Sequence, residues 1–210
     1  MVALAYHYLL KTKTDEITEI ANIFTAGIID LCEGQALDKE FECRFDIDVD
    51  QYLLMVEKKT ARLLMISSEI GVIIGRGNRK QREYLSEFSR HLGNAFQIQD
   101  DLLDMETTSG KTFGSDIRQK KRTILFVHSM IYADQHIKNQ LWNIMHQPEI
   151  TDNDVLKVRD LFEASGTLKF ANHEVESRMT QAQQILNQLA PSEARDDLNM
   201  LLKWILERKS

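Results

Sequence analysis

The sequence predicts an all-α fold. Apolar residues recur at the three- and four-residue spacing of helices almost from end to end. Only 9 glycines and 2 prolines, Pro148 and Pro191, punctuate the 210 residues, too few turn formers for a many-stranded β protein. No composition shift divides the chain, so residues 1–210 are read as one domain around one substantial core.

Helices are expected near 1–11, 15–43, 50–75, 79–105, 121–133, 136–146, 152–164, 167–189 and 192–208. The first, opening Met1-Val-Ala-Leu-Ala-Tyr-His-Tyr-Leu-Leu10, enters an apolar run without a capping residue and reads as a helix cut partway. The second carries Cys32 and Cys43, roughly 16 Å apart along a helix and so too far for a disulfide; both are read as reduced cytosolic thiols. Asp48 and Asp50 precede Tyr52 and Leu53 and are expected to cap the third. The fourth ends in an acidic cluster, after which 106–120 is read as irregular. Later starts are marked by Thr151 with Asp154 three residues on, and by Pro191 followed by Ser192 and Glu193. Periodicity alone marks the others, and there is no internal repeat or sustained heptad.

A formal charge of −6 excludes a general nucleic-acid binder, which needs a basic surface. The best apolar run, Leu63 to Gly75, is broken by Ser67, Ser68 and Glu69 and is too short to span a bilayer, so no stable membrane insertion is expected. The six histidines, His7, His91, His128, His136, His146 and His173, include no pair at zinc-site spacing.

In Ala95-Phe-Gln-Ile-Gln-Asp-Asp-Leu-Leu-Asp104, helical steps of three and four put Gln97, Asp100, Asp101 and Asp104 in one stripe, while Leu102 and Leu103 turn to the core. Carboxylates crowded at a helix C-terminus repel one another and oppose the helix dipole. A divalent cation would remove that penalty, and an oxygen-only set suits Mg²⁺. On its own, Asp-Asp-x-x-Asp is better read as a solvated helix end. Its neighbours shift the balance. Gly110-Lys-Thr-Phe-Gly-Ser-Asp-Ile-Arg-Gln-Lys-Lys-Arg-Thr123 follows, and acid, loop, then base is the order of a metal-bridged polyphosphate site. Ser109-Gly-Lys-Thr112 imitates the tail of a P-loop, but Met105 stands where its first glycine belongs and a helix precedes it.

These residues resemble the trans-isoprenyl (polyprenyl) diphosphate synthases, whose second aspartate-rich motif reads Phe-Gln-Ile-x-Asp-Asp-x-x-Asp and here spans Phe96 to Asp104. Gly34-Gln-Ala-Leu-Asp38 is similar to the family's Gly-Gln-x-x-Asp segment, and Lys59-Thr60 to its Lys-Thr pair. Gly110-Lys111 through Asp116 to Lys121-Arg-Thr123 resembles its closing diphosphate loop. The resemblance implies the C-terminal part of an isoprenoid synthase-type helical bundle, lacking its N-terminal helices. It implies Mg²⁺ on Asp100, Asp101 and Asp104, with Asp100 the direct ligand. Lys59, Thr60, Gln97, Lys111 and Lys121 would hold an allylic diphosphate, with Lys59, Gln97 and Lys111 serving catalysis, and Gln35 and Asp38 would line the cavity. The implied reaction joins isopentenyl diphosphate to the allylic diphosphate through an allylic carbocation, in a cytoplasmic homodimer.

The family's first aspartate motif, its Arg-Arg-Gly segment and its isopentenyl-diphosphate basic region do not occur here, and Asp196-Asp197 on the last helix is no substitute. An N-terminally truncated sequence is the expectation, with a non-catalytic or complementing subunit as the alternative. In the family, residues just before the first motif largely set product length, which therefore stays open. Terpene cyclases and squalene-type synthases share the fold but carry different second metal motifs. Asp46, Asp48, Asp50 and Glu57 match EF-hand positions 1, 3, 5 and 12, but Gln51 stands where that loop requires glycine.

Overall fold

The computed structural model describes residues 2–106 and 113–207. Among these, every regular element is helical. In order they are α1 (Val2–Leu9), α2 (Ile17–Phe41), α3 (Val49–Val56), a π turn (Glu57–Ala61), α4 (Arg62–Ile74), α5 (Arg79–Leu103), α6 (Ser115–Arg118), α7 (Ile124–Tyr132), α8 (Gln135–Met145), α9 (Asp152–Ala164), α10 (Thr167–Leu186) and α11 (Glu193–Glu207). None is long and apolar enough to cross a membrane among the described residues.

α5 is the central helix. Asn78 caps it in a reciprocal capping box with Gln81. Phe88, Leu92, Ala95, Ile98 and Leu102 recur at steps of three and four and are buried. α10 packs along it with Ala171, Val175, Met179, Ala182 and Leu186, equally periodic and buried. The two alanines let the backbones approach, as ridges of one helix enter grooves of the other. On its other side α5 meets α4 and the π turn, and both of these meet α2. Burial of large side chains such as Phe126 and Phe162, each about 1.5–3 kcal/mol, anchors α7 and α9 to the same core.

Start signals hold at residue level. Thr151 and Asp154 form the capping box of α9, and Ser192 Oγ accepts the Arg195 amide at the start of α11. Asp48 is the N-cap of α3 in a capping box with Gln51, Asp50 lies in the first turn and not at the cap, and Asp46 pairs with Arg44; these local roles account for three of the four carboxylates of the EF-hand look-alike.

Two features differ from the sequence reading. The expected single helix 50–75 contains the π turn, where the Arg62 amide donates to the Glu57 carbonyl five residues back. The stretch 106–120, read as irregular, contains α6. Its N-terminus is satisfied by a side chain from outside its own sequence, so no local signal marks it.

Candidate functional site

α2, the π turn, the C-terminal end of α5 and the segment from α6 to α7 converge on one polar cleft. Asp38, Lys59, Gln97, Asp101, Asp116 and Lys121 line it. Tyr52, Val56 and Lys59 share one stripe of the α3–π helix, so the buried Tyr52 enters from the same side as the lysine.

Tyr52 Oη donates to Asp101 Oδ2 at 2.5 Å, and the Ile124 amide donates to the same oxygen at 3.2 Å. Gln97 Nε2 donates to Asp101 Oδ1 at 3.2 Å, and Thr60 Oγ1 donates to Gln97 Oε1 at 2.9 Å. A chain of bonds thus links the π turn, α5 and α7. Two ion pairs flank it: Lys59 Nζ to Asp38 Oδ2 at 2.8 Å, and Lys121 Nζ to Asp116 Oδ1 at 2.7 Å. Burial alone would lower the pKa of Lys121, but the bond and charge of Asp116 reverse the effect and raise it.

The acidic stripe is distributed rather than clustered. Asp101 and Asp104 are both buried. Asp104 accepts the Ser115 amide at 3.0 Å, the Ser115 hydroxyl at 2.6 Å and the Asp116 amide at 3.0 Å, so it closes the N-terminus of α6. Asp101 likewise takes the first amide of α7. Each carboxylate opposed by the dipole of α5 thus meets the favourable N-terminal end of a following helix. Asp100, immediately before Asp101 in the sequence, is half-buried. Among the described residues no group of three or more His, Cys, Asp or Glu side chains is arranged as a metal cage. An oxygen-only set of one or two carboxylates nevertheless fits Mg²⁺, which usually completes its octahedron with water and substrate phosphate oxygens.

The basic run splits three ways. Lys120 has φ 58, and Lys120 Nζ donates to the Gln147 carbonyl at 2.6 Å, away from the cleft. Lys121 faces the cleft. Arg122 is buried and donates to the carbonyls of Arg44, Lys120 and Glu42 at 2.9, 2.8 and 3.1 Å, with its guanidinium 4.0 Å from the Phe45 ring centroid and 4.8 Å from that of Phe126. Burial lowers its pKa to about 10.

Of the residues singled out from the sequence, Lys59, Thr60, Gln97, Asp101, Lys121 and Asp38 come together. Gln35, one turn before Asp38, is exposed on α2. Lys111 lies outside the described residues. Tyr52, Asp116 and Arg122 were not singled out as site residues; the helical spacing from Tyr52 to Lys59 was the available signal for the first.

Burial foremost, with the Asp116 charge adding, raises the Asp101 pKa to about 7. The folded chain then keeps a proton that the unfolded chain has released, so this group's contribution is present below about pH 4 and is lost as pH rises through about 7. Asp101→Asn removes the titration, and Gln97 accommodates it by turning its amide over. In metal-free thermal melts, the wild type should lose stability relative to Asp101→Asn between about pH 4 and 7. Parallel melting curves across that window would contradict this assignment.

Comparison with known proteins matches residues 1–162 to the family described as polyprenyl synthetase. The chain is 32% identical over 199 residues to the short chain isoprenyl diphosphate synthase of Methanothermobacter thermautotrophicus, covering 93% of this chain and 61% of that protein. It is 34% identical over 197 residues to the geranylgeranyl diphosphate synthase of Sulfolobus acidocaldarius, covering 92% and 59%. The crystal structure of geranylgeranyl pyrophosphate synthetase from Pyrococcus horikoshii superposes with a TM-score of 0.90 at 32% identity, covering 97% of this chain and 63% of that one. The chain therefore spans about three fifths of the length of these relatives.

Proposed function

This chain belongs to the polyprenyl synthetase family, and on that premise we propose that it carries the allylic-diphosphate end of a prenyltransferase site. The reaction joins isopentenyl diphosphate to an allylic diphosphate with release of inorganic diphosphate. The observation that carries this reading is the convergence of Lys59, Thr60, Gln97 and Lys121, from three separate stretches of chain, on one cleft. Each lysine there holds a carboxylate, Asp38 or Asp116, that an incoming diphosphate can replace. The relatives named as isoprenyl and geranylgeranyl diphosphate synthases support the same chemistry.

Ionising an allylic carbon–oxygen bond leaves a carbocation and a diphosphate whose charge grows as it departs. Lys59 and Lys121 neutralise that charge, with Lys111 assigned to the same anion by its place in the motif. Thr60 and Gln97 orient the head group through their shared hydrogen bond. Buried Met55 and Val56 give the cleft apolar wall that keeps water from the cation. The double bond of isopentenyl diphosphate attacks the cation, and a proton leaves to restore the alkene. Asp100 would hold Mg²⁺, with Asp101 and Asp104 shaping the turn around it; the ion supplies charge neutralisation at the departing diphosphate. The exposed apolar residues Val2, Leu4 and Tyr8 of α1 and Ile29 of α2 support a homodimer, and two exposed free cysteines support a reducing cytoplasm.

With isopentenyl diphosphate, geranyl diphosphate and Mg²⁺, the protein is expected to release inorganic diphosphate and a longer prenyl diphosphate, and excess chelator should return the rate to background. Turnover that survives chelation would contradict the metal's part. Failure of geranyl diphosphate to bind in Mg²⁺ would contradict the site.

A further inference from the structure

The π turn that carries Lys59 and Thr60 is gripped from two sides by bare helix backbone. On α2, a Cβ added to Gly34 would lie 2.4 Å from the Lys59 amide nitrogen and 2.8 Å from both the Lys58 carbonyl carbon and Lys59 Cα. On α5, a Cβ added to Gly93 would lie 2.5 Å from Ala61 Cα and 2.7 Å from its Cβ. Real Cβ atoms do not approach backbone so closely, so any side chain at either position must push the turn away.

Each glycine also has a polar partner for the turn one helical step further on. Asp38, four residues after Gly34, holds Lys59, and Gln97, four residues after Gly93, holds Thr60. Asp30, four residues before Gly34, takes Lys58 at 3.4 Å and Arg62 at 2.8 Å. The Lys58–Lys59 peptide thus rests on Gly34 while its two side chains reach carboxylates on opposite sides of that glycine. A π turn inserts one extra residue into a helix and is intrinsically rare. Here the contacts that favour it come from α2 and α5.

We propose that Gly34 and Gly93 are positioning residues: they hold residues 57–61 in the π register that points Lys59 and Thr60 at the diphosphate and Lys58 away from it. This rests on the proposed diphosphate site. It adds that the placement of the binding lysine is dictated by two neighbouring helices and not by the helix that bears it.

The test is a double-mutant cycle read by calorimetric titration of the whole chain with inorganic pyrophosphate in Mg²⁺. Lys59→Met and Gly34→Ala should each weaken binding by roughly tenfold, and the double variant should be no weaker than either, because both remove the same contact. A merely structural loosening would add to the lysine effect instead. Wild-type affinity in Gly34→Ala, or full additivity, overturns the inference while the site stands. Wild-type affinity in Lys59→Met overturns the site, and the inference with it. If Gly34→Ala does not fold, Gly93→Ala with Thr60→Val forms the equivalent cycle. If neither glycine variant folds, a crystal structure of the unaltered chain with pyrophosphate decides: a π register with Lys59 on the anion supports the inference, and an α register through 57–61 overturns it.

Discussion

Asp100→Ala is expected to lower the condensation rate by at least about 100-fold, the usual scale for losing one preorganised electrostatic group at a charged transition state. The three aspartates of the acidic stripe are not equivalent. Asp104 meets three donors at the start of α6, and Asp101 meets Tyr52, Gln97 and Ile124. Removing either would disturb the fold as well as the chemistry. Alanine keeps the helix propensity of this stretch of α5, and the loss is expected in turnover and in Mg²⁺-dependent diphosphate affinity. Steady-state rates with a parallel thermal melt separate the two effects. Full activity in a stably folded Asp100→Ala protein would remove the proposed ligand.

Arg122→Ala carries the largest expected effect on stability, about 3 kcal/mol or more, because each buried carbonyl left without its donor costs roughly 1–3 kcal/mol. Its guanidinium supplies donors to Arg44, Lys120 and Glu42, and it fills the space between Phe45 and Phe126. Truncation leaves those carbonyls short of a donor and opens a gap between two rings. It also frees the segment that aims Lys121 at the cleft, so diphosphate affinity should fall along with stability. Urea unfolding measures the first effect. A change below about 1 kcal/mol, the scale of a single ordinary hydrogen bond, would show that Arg122 does not pin this segment.

Most of the helices were legible because their signals are local. Thr151 with Asp154 and Ser192 beside Glu193 announce their own helices, and the stripe from Phe88 to Leu102 announces the buried face of α5. What escaped depends on contacts between distant segments. The π turn requires Gly34 and Gly93 pressed against it, and neither glycine is adjacent to it in sequence. α6 requires the carboxylate of Asp104, eleven residues from Ser115. In the sequence, the crowding of negative charge at the end of α5 is a penalty that a bound cation would remove. In the fold, the N-terminal ends of α6 and α7 relieve part of it through Asp104 and Asp101. The triplet Lys120-Lys121-Arg122 looked like one basic patch, but a left-handed backbone at Lys120 sends its members to three different places.

On the proposed reading, one pole of this helical bundle holds a metal-bridged diphosphate between Lys59 and Lys121. Crystals soaked with Mn²⁺ and inorganic pyrophosphate provide the decisive test. The expected result is an anomalous peak about 2.0–2.3 Å from an Asp100 carboxylate oxygen, with Lys59 Nζ and Lys121 Nζ turned from Asp38 and Asp116 onto the phosphate oxygens. Manganese or pyrophosphate bound elsewhere, with both lysine–aspartate pairs intact, would contradict it.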